Sequence, residues 1–488
     1  MRPGPDVRTL AELCLERART HAARPAVADD DGVLTYAELA ERALDAAAVL
    51  TAHGVRPGAR VALQARNSAD WVVAAFGALL AGAALVPVGH GASLVERGRV
   101  LAGLDPVVLV HDASLPAADG VRCLTLADVA CPRPGVRRTR PASVDGAAAA
   151  LVLSTSGTTG AVKSVPMTHE QLLRLYAELA EQMTIRETDR FLVAVPLAHS
   201  FGFNGLLLVA MLGGAMIRVL SSYDRAVVAE VVGRERLTVL AGPPTIYHDL
   251  EDSGPLPSAR LAIAGGQVVR VGELVDVARS LAIPELVVGY GMTETCGTVA
   301  LARVPTDVAR DSAPMLPLPG VDVVVRDELG QDVVGAPGRV LVRGYNIART
   351  YGVSTDPPGG WFDTGDLGVI DAEGQLLVVG RRSDMVIVSG FNVHPGEVET
   401  VLAADPDVAQ VAVTGVPDRR RGQRLVAFVV PRGATVDVSR VDALVRERLS
   451  AYKVPSDYHV VDDLPVTSTG KLARSALREL AERWTASR

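Results

Sequence analysis

A run of small hydroxyl-bearing and glycine residues, Ser154-Thr155-Ser156-Gly157-Thr158-Thr159-Gly160, follows the apolar stretch AAAALVL and stands just ahead of Lys163. Hydroxyls and unobstructed backbone N–H groups suit phosphate oxygens, and a lysine balances their charge. The run is not a Walker A loop, which needs glycine immediately before its lysine, where this chain has Val162. A flexible linker would explain the composition but not the placement directly after a strand-like run. The lysine is itself informative. Of 49 basic residues only Lys163, Lys453 and Lys471 are lysine, so ordinary surface cations are written as arginine. A compact point charge on a flexible stem suits a phosphate or a moving carboxylate better than a planar fork does.

Such residues need elements to hold them. At 488 residues the chain exceeds what one hydrophobic core usually holds, which predicts two or more domains. Hydrophobic residues at 48% and charged residues at 22% exclude wholesale disorder. The net charge of -7 argues against a nucleic-acid or anionic-membrane surface, so no nucleic acid is expected as a partner. Cys14, Cys123, Cys131 and Cys296 form no CxxC pair and have no zinc spacing with histidine, which fits a reducing cytoplasm. The N-terminal MRPGPDVRTL lacks the apolar core of a secretory signal. Trp71 to Val95 and Phe191 to Ile217 are long enough to span a membrane, but Pro87, Pro196 and repeated glycines break them. Both read as a buried helix joined to a buried strand, with no membrane span.

From about Ala26 to Ala300, strand-like runs such as RVALQAR alternate with helical periodicity, which predicts an α/β fold with largely parallel sheets. Thr35 and Glu38 are spaced to cap a helix that Gly54 ends in a left-handed turn. The Pro/Arg-rich stretch Pro132 to Ser143 reads as a surface connection. Beyond Leu318 short strands and turns predict a β-rich subdomain, and after Gly380 a polar step, GRRSD, leads into about a hundred residues of mixed βαββαβ-like pattern. The boundary is placed at Arg382 to Asp384, giving domains 1–381 and 382–488.

The phosphate-suited loop resembles that of the adenylate-forming superfamily of acyl-CoA synthetases, luciferases and carrier-protein adenylation domains, with Val162 where the family usually has proline. The resemblance recurs in order along nearly the whole chain and is closest to the acyl-CoA synthetases. It implies a large N-terminal domain of αβ-sandwich sheets plus a β-rich subdomain, with a small mobile α+β C-terminal domain. Pro196-Leu197-Ala198-His199-Ser200-Phe201-Gly202 resembles the segment whose histidine lines the acyl pocket, and Gly265-Gly266 the strand end past which adenine and acyl group run. In Tyr290-Gly291-Met292-Thr293-Glu294 the resemblance implies that Tyr290 stacks on adenine, Thr293 bonds the α-phosphate and Glu294 helps hold Mg2+. In Thr364-Gly365-Asp366 it implies a carboxylate accepting both ribose hydroxyls, and Arg381 is the matching ribose contact. Ser383 or the neighbouring Asp384 falls on the hinge pivot, and serine can serve there because a hinge need only absorb a backbone change. Ser389-Gly390-Phe391-Asn392 resembles the loop lining the thiol acceptor's tunnel, and Pro395-Gly396-Glu397-Val398-Glu399 completes the signature. Lys471, in Pro465-Val466-Thr467-Ser468-Thr469-Gly470-Lys471, matches the catalytic cation, and Lys453 also falls on a family position.

The resemblance implies that a carboxylate attacks the α-phosphate of MgATP and that a thiol then attacks the acyl-AMP. YKVP favours coenzyme A as acceptor, and the alternative is phosphopantetheine of an acyl carrier protein. A non-catalytic adenylate-binding protein is the alternative of a different class. Acetate-specific relatives have tryptophan where Gly291 stands; α-amino-acid-activating relatives have an aspartate near the start of the His199 segment, and PLAHSFGFN has none. Malonate-activating relatives have arginine where Pro244-Thr245-Ile246-Tyr247-His248-Asp249 has Asp249. A medium-length aliphatic or aromatic monocarboxylate is therefore expected.

Overall fold

The computed structural model describes residues 4, 7–131, 140–156, 162–265, 271–309, 312–348, 360–388, 391–418, 421–467 and 472–486. Contacts divide the chain into two compact units, Met1–Val321 with Arg343–Asp356, and Asp322–Val342 with Pro357–Arg488. By this division the β-rich stretch groups largely with the C-terminal hundred residues, and the boundary placed at Arg382 to Asp384 lies inside the second unit.

Among the described residues the first unit holds two large sheets. The six-stranded one runs in the order Arg122–Thr125, Val108–His111, Arg60–Gln64, Ala84–Pro87, Ala149–Ser156, Val162–Thr168, parallel except for its last pair. The nine-stranded one has a parallel interior, Glu285–Met292, Leu261–Gly265, Val239–Gly242, Arg190–Val193, Met216–Val219 and Pro25–Ala28. Antiparallel strands flank it, Gly297–Pro305 and Leu316–Pro317 on one side and Val33–Thr35 on the other. Interior strands such as Ala84–Pro87 and Val239–Gly242 are buried at every residue, as parallel sheets covered on both faces require.

Helix ends follow the local chemistry. Thr35 accepts from the Glu38 N–H, the Thr35 N–H donates to the Glu38 carboxylate, and Gly54 at φ +99° turns the chain after the helix Tyr36–Ala52. Ser68 caps the helix Ala69–Leu80, in which every residue but Asp70 is buried. Its 12 residues fall short of the ~20 needed to cross a bilayer. Among the described residues no helix is long and apolar enough to do so. The second apolar stretch also folds back into the sheet, as strand, π-helix Phe201–Leu208, short α-helix Val209–Gly213 and strand. The buried His169 ties the first helix, Leu10–Thr20, to the helix His169–Gln182 that it opens, because its Nδ1 accepts the Leu10 N–H at 3.1 Å.

The second unit carries most of a four-stranded sheet in the order Val321–Arg326, Gly338–Gly344, Phe362–Ile370, Leu376–Arg381. After the 3-10 turn Arg382–Asp384 come strands Val386–Val388 and Phe391–Val393, helix Pro395–Ala403, strands Val408–Asp418 and Gly422–Pro431, helix Val438–Arg448, strand Asp457–Val460 and helix Arg474–Ala486. Strand Gly422–Pro431 is central, and its alternation feeds two cores. Leu425, Ala427 and Val429 pack with Val398, Leu402, Val441 and Val445, whereas Val426 and Phe428 pack with Leu477, Ala481 and Trp484.

Candidate active site

In open α/β sheets, ligands bind beyond the carboxyl ends of the parallel strands. Several chemistry-bearing motifs of the first unit lie there. The strand Ala149–Ser156 ends on Ser154, Thr155 and Ser156, the strand Arg190–Val193 leads into the His199 segment, and Leu261–Gly265 ends beside Glu285–Met292 with Gly265 opposite Gly289. Gly157, Thr158, Thr159, Gly160 and Gly266 lie outside the described residues. The backbone of Lys163 pairs with Thr155 across a hairpin, so the phosphate-suited loop joins two antiparallel strands, whereas a Walker A loop leads from strand to helix.

His199 is exposed at the turn into the π-helix Phe201–Leu208, with its carbonyl accepting the Phe203 N–H at 3.0 Å. π-Helices are rare and frequent at functional sites. Within this one Asn204 is fully buried, its Nδ2 3.3 Å from the Met167 sulfur and its Oδ1 without a hydrogen-bond partner.

The strand carrying Tyr290 and Met292 ends in the 3-10 turn Thr293–Thr295, which presents Thr293 and Glu294 half-buried. Three residues not singled out in the sequence set this turn. Thr295, fully buried, accepts the Met292 N–H at 3.1 Å, and its hydroxyl lies 2.6 Å from the Gly297 carbonyl. Tyr176 donates its hydroxyl to the Cys296 carbonyl at 2.8 Å, and the Ala348 N–H bonds the Glu294 carbonyl at 2.9 Å. Gly291 sits where the pairing of Glu285–Met292 with Gly297–Pro305 shifts register, and a Cβ there would lie 1.9 Å from the Gly297 carbonyl oxygen. Glycine at 291 is thus demanded by the close approach of two backbones.

In the second unit Asp366 and Arg381 are cross-strand partners, with Arg381 Nε 3.2 Å from Asp366 Oδ1. Asp366 is 5% exposed, and the Arg381 side chain is 61% exposed. The Thr364 hydroxyl donates to the Val340 carbonyl at 2.9 Å while its oxygen accepts the Asp366 N–H, which fixes the carboxylate's backbone. A cavity of about 220 Å³ is lined by Thr364, Gly365, Arg381 and Arg382. That is below the ~300–1,000 Å³ of a site enclosing a drug-sized ligand. A larger cavity of about 640 Å³ beside Arg174 and Tyr345 in the first unit is lined by none of the motif residues.

Lys471 and Gly390 lie outside the described residues. The base of the lysine's loop is described: Val466 and Leu472 form an antiparallel bridge, and the Ala473 N–H donates to the Pro465 carbonyl at 2.8 Å. Lys453 Nζ holds both carboxylate oxygens of Glu397, at 2.6 and 2.7 Å, which makes it a tie between the 3-10 turn Ala451–Lys453 and the helix Pro395–Ala403.

No cluster of three or more His, Cys, Asp or Glu side chains is placed to hold a metal among the described residues. The donor chemistry fits Mg2+ of the kind that keeps waters and phosphate oxygens and needs only one or two carboxylates, for which Glu294 is placed at a strand end.

The AMP-binding enzyme family matches residues 14–352, and the AMP-binding enzyme C-terminal domain matches residues 397–471. A methyl-dioxo-octahydroindenyl-propanoyl:CoA ligase of Rhodococcus jostii is 34% identical, covering 96% of this chain and 98% of that protein. A feruloyl-CoA synthase of Amycolatopsis is 33% identical over 95% of this chain and 97% of that protein. The solved structure of O-succinylbenzoate coenzyme A synthetase from Bacillus subtilis, in complex with ATP and magnesium ion, aligns with a TM-score of 0.83 at 28% identity, covering 95% of this chain and 98% of that one.

Proposed function

The chain belongs to the AMP-binding enzyme family, and on that footing we propose a reading in which each motif residue takes one part of an adenylation reaction on a ring-bearing monocarboxylate. As an AMP-forming acid–thiol ligase it activates a carboxylic acid with ATP through an acyl-adenylate and passes the acyl group to coenzyme A.

In the first step a carboxylate oxygen bonds to the α-phosphorus as the bond to pyrophosphate breaks. In the second the thiol sulfur bonds to the acyl carbon, the thiol proton leaves to solvent and AMP departs. Positioning and charge stabilisation suffice, with no covalent enzyme intermediate. Ser154 to Gly160 and Lys163 hold the phosphates, Tyr290 stacks on adenine past Gly265, Gly266, Gly291 and Met292, and Thr293 bonds the α-phosphate. Asp366 and Arg381 bind the ribose, and His199 faces the acyl group. Mg2+ at Glu294 offsets phosphate charge when bound. Lys471 draws the substrate carboxylate towards the α-phosphate and offsets charge in the transition state, a contribution of about 3 kcal/mol. Residues 382–488 form a mobile domain that pivots near Ser383 and Asp384, so that Lys471 serves the first step and Gly390 lines the thiol's path in the second.

The observation that carries the acid class is Asp249. Its carboxylate accepts the Tyr223 hydroxyl, so an acid already bound within the protein stands where malonate-activating relatives have arginine. The similar enzymes named for feruloyl-CoA and for an octahydroindenyl propanoate support a bulky ring-bearing acid. Carboxylate-dependent pyrophosphate exchange over a panel of acids tests this. Ring-bearing monocarboxylates should be turned over best, and a preference for acetate or malonate would overturn the assignment. Supplying coenzyme A and a phosphopantetheinylated carrier protein separately tests the acceptor, and a thioester formed on the carrier alone would refute coenzyme A. Lys471→Ala should cripple pyrophosphate exchange by roughly a hundredfold while sparing thioester formation from supplied acyl-AMP.

A further inference from the structure

Arg474 is the first residue of the helix Arg474–Ala486 and stands three positions after Lys471. Its guanidinium meets three separate elements of the second unit. Nη1 and Nη2 meet Glu399 Oε1 and Oε2 at 3.1 and 3.3 Å, a bidentate pair with the helix Pro395–Ala403. Nη1 also donates to the Val413 carbonyl at 2.9 Å, on the strand Val408–Asp418, while the Val413 N–H donates to Glu399 Oε1 at 2.8 Å. Nε lies 3.4 Å from Asp384 Oδ2, at the end of the 3-10 turn Arg382–Asp384. The side chains of Arg474, Glu399 and Asp384 are 31%, 13% and 24% exposed, so the cluster is partly withdrawn from water and its geometry is held. The bidentate fork gives orientation as well as attraction, which a lysine at 474 would not.

The elements so joined are those that must move together. Asp384 adjoins the proposed pivot, and Arg474 adjoins the closed base of the Lys471 loop, where Val466 bridges Leu472 and the Ala473 N–H bonds the Pro465 carbonyl. We infer that Arg474 is a positioning residue for adenylate formation: it makes the path from pivot to catalytic cation stiff, so that a backbone change at 382–384 sets where Lys471 arrives. This rests on the reading of Lys471 and the pivot given above. A stiff lever matters because a misplacement of about 1 Å at a catalytic charge costs on the order of a hundredfold in rate.

The test uses the full-length enzyme and measures the two half-reactions separately, pyrophosphate exchange and thioester formation from supplied acyl-AMP. Arg474→Met should lower kcat of adenylation roughly 10- to 100-fold, leave KM for ATP and acid within about twofold, and spare the thioester step. Asp384→Asn, which weakens the pivot leg, should shift the same half-reaction in the same direction by less. Should Arg474→Met fold poorly, Arg474→Lys keeps a cation without the fork and should show the same selective loss at an unchanged melting temperature. Equal loss of both half-reactions, or altered KM with unaltered kcat, would make Arg474 merely structural and overturn the inference. Lys471→Ala run alongside separates the two ideas. Adenylation intact in that variant would refute the role of Lys471 itself, whereas adenylation lost there but intact in Arg474→Met and Asp384→Asn would refute the lever alone.

Discussion

At position 291 a single hydrogen separates a working strand pair from a collision, since any Cβ would sit 1.9 Å from the Gly297 oxygen, a backbone atom that cannot swing aside. Gly291→Ala should therefore push Glu285–Met292 away from Gly297–Pro305 and cost about 1–3 kcal/mol, as overpacking does. Chemical denaturation measures it. Gly289→Ala is the control, because a Cβ there meets nothing closer than Thr298 Cγ2 at 3.8 Å; equal losses in the two variants would show that general strand stiffness, not the collision, is at issue. Activity should track stability in one respect: the shift displaces Tyr290 and Thr293, so KM for ATP should rise in Gly291→Ala. Tyr290, Thr293, Glu294 and Asp366 were singled out in the sequence because their motifs are short and local. Thr295, Tyr176 and Arg474 were not. Tyr176 and Arg474 act on groups 120 and 75 residues away, respectively, and in a chain that writes nearly every cation as arginine, one more arginine carries no signal.

Elements depend on a few long ties as well as on their own caps, and one of these ties titrates. His169 is 2% exposed, and burial lowers its pKa from 6.5 to about 4, with Glu12 opposing weakly. Its Nδ1 accepts the Leu10 N–H, a bond the protonated ring cannot accept. Because the folded pKa lies below the unfolded one, the unfolded chain binds the extra proton between pH ~6.5 and ~4. The tie's contribution is full above that window and is lost as pH falls through it, on the order of 3 kcal/mol in all. Urea unfolding at pH 7 and pH 5 should show the decline, and His169→Asn, which keeps an acceptor without titrating, should flatten it. Parallel pH profiles for the two proteins would assign the decline to other groups. Capping residues such as Thr35 and Glu38 announced their helix from sequence alone, since both partners of the bond lie within one turn. The π-helical winding of FGFNGLLL was not legible, because an apolar run buried nearly all round has no periodicity to distinguish one winding from another.

Across the whole molecule the parallel sheets were legible from alternation of strand and helix, whereas the division of the chain was not settled by it. The polar step at Arg382 to Asp384 was read as the boundary, yet contacts group the sheet Val321–Arg326 to Leu376–Arg381 largely with the residues C-terminal to it. Turn-rich strands look alike on either side of a boundary, so composition cannot say which sheet they join. Core membership bears on it more directly. Both apolar clusters of the C-terminal region draw only on residues from Val386 to Trp484, and the strand Gly422–Pro431 supplies both. Among the described residues those cores draw nothing from the four-stranded sheet, whose nearest approach includes the point where a Cβ on Gly396 would meet the Val379 carbonyl at 3.5 Å. A fragment of residues 382–488 should therefore fold alone. It is about the size of an ordinary single domain, which at ~100 residues commonly unfolds as one cooperative step. Thermal unfolding monitored by circular dichroism, with amide exchange on Leu425 to Val429 as the local probe, should show one transition and strong protection of that strand. A fragment from Asp322 onward should protect it no better. A shorter fragment that binds a hydrophobic dye and exchanges freely, beside a longer one that is cooperative, would move the boundary to Asp322 and make the β-rich sheet part of the proposed mobile domain.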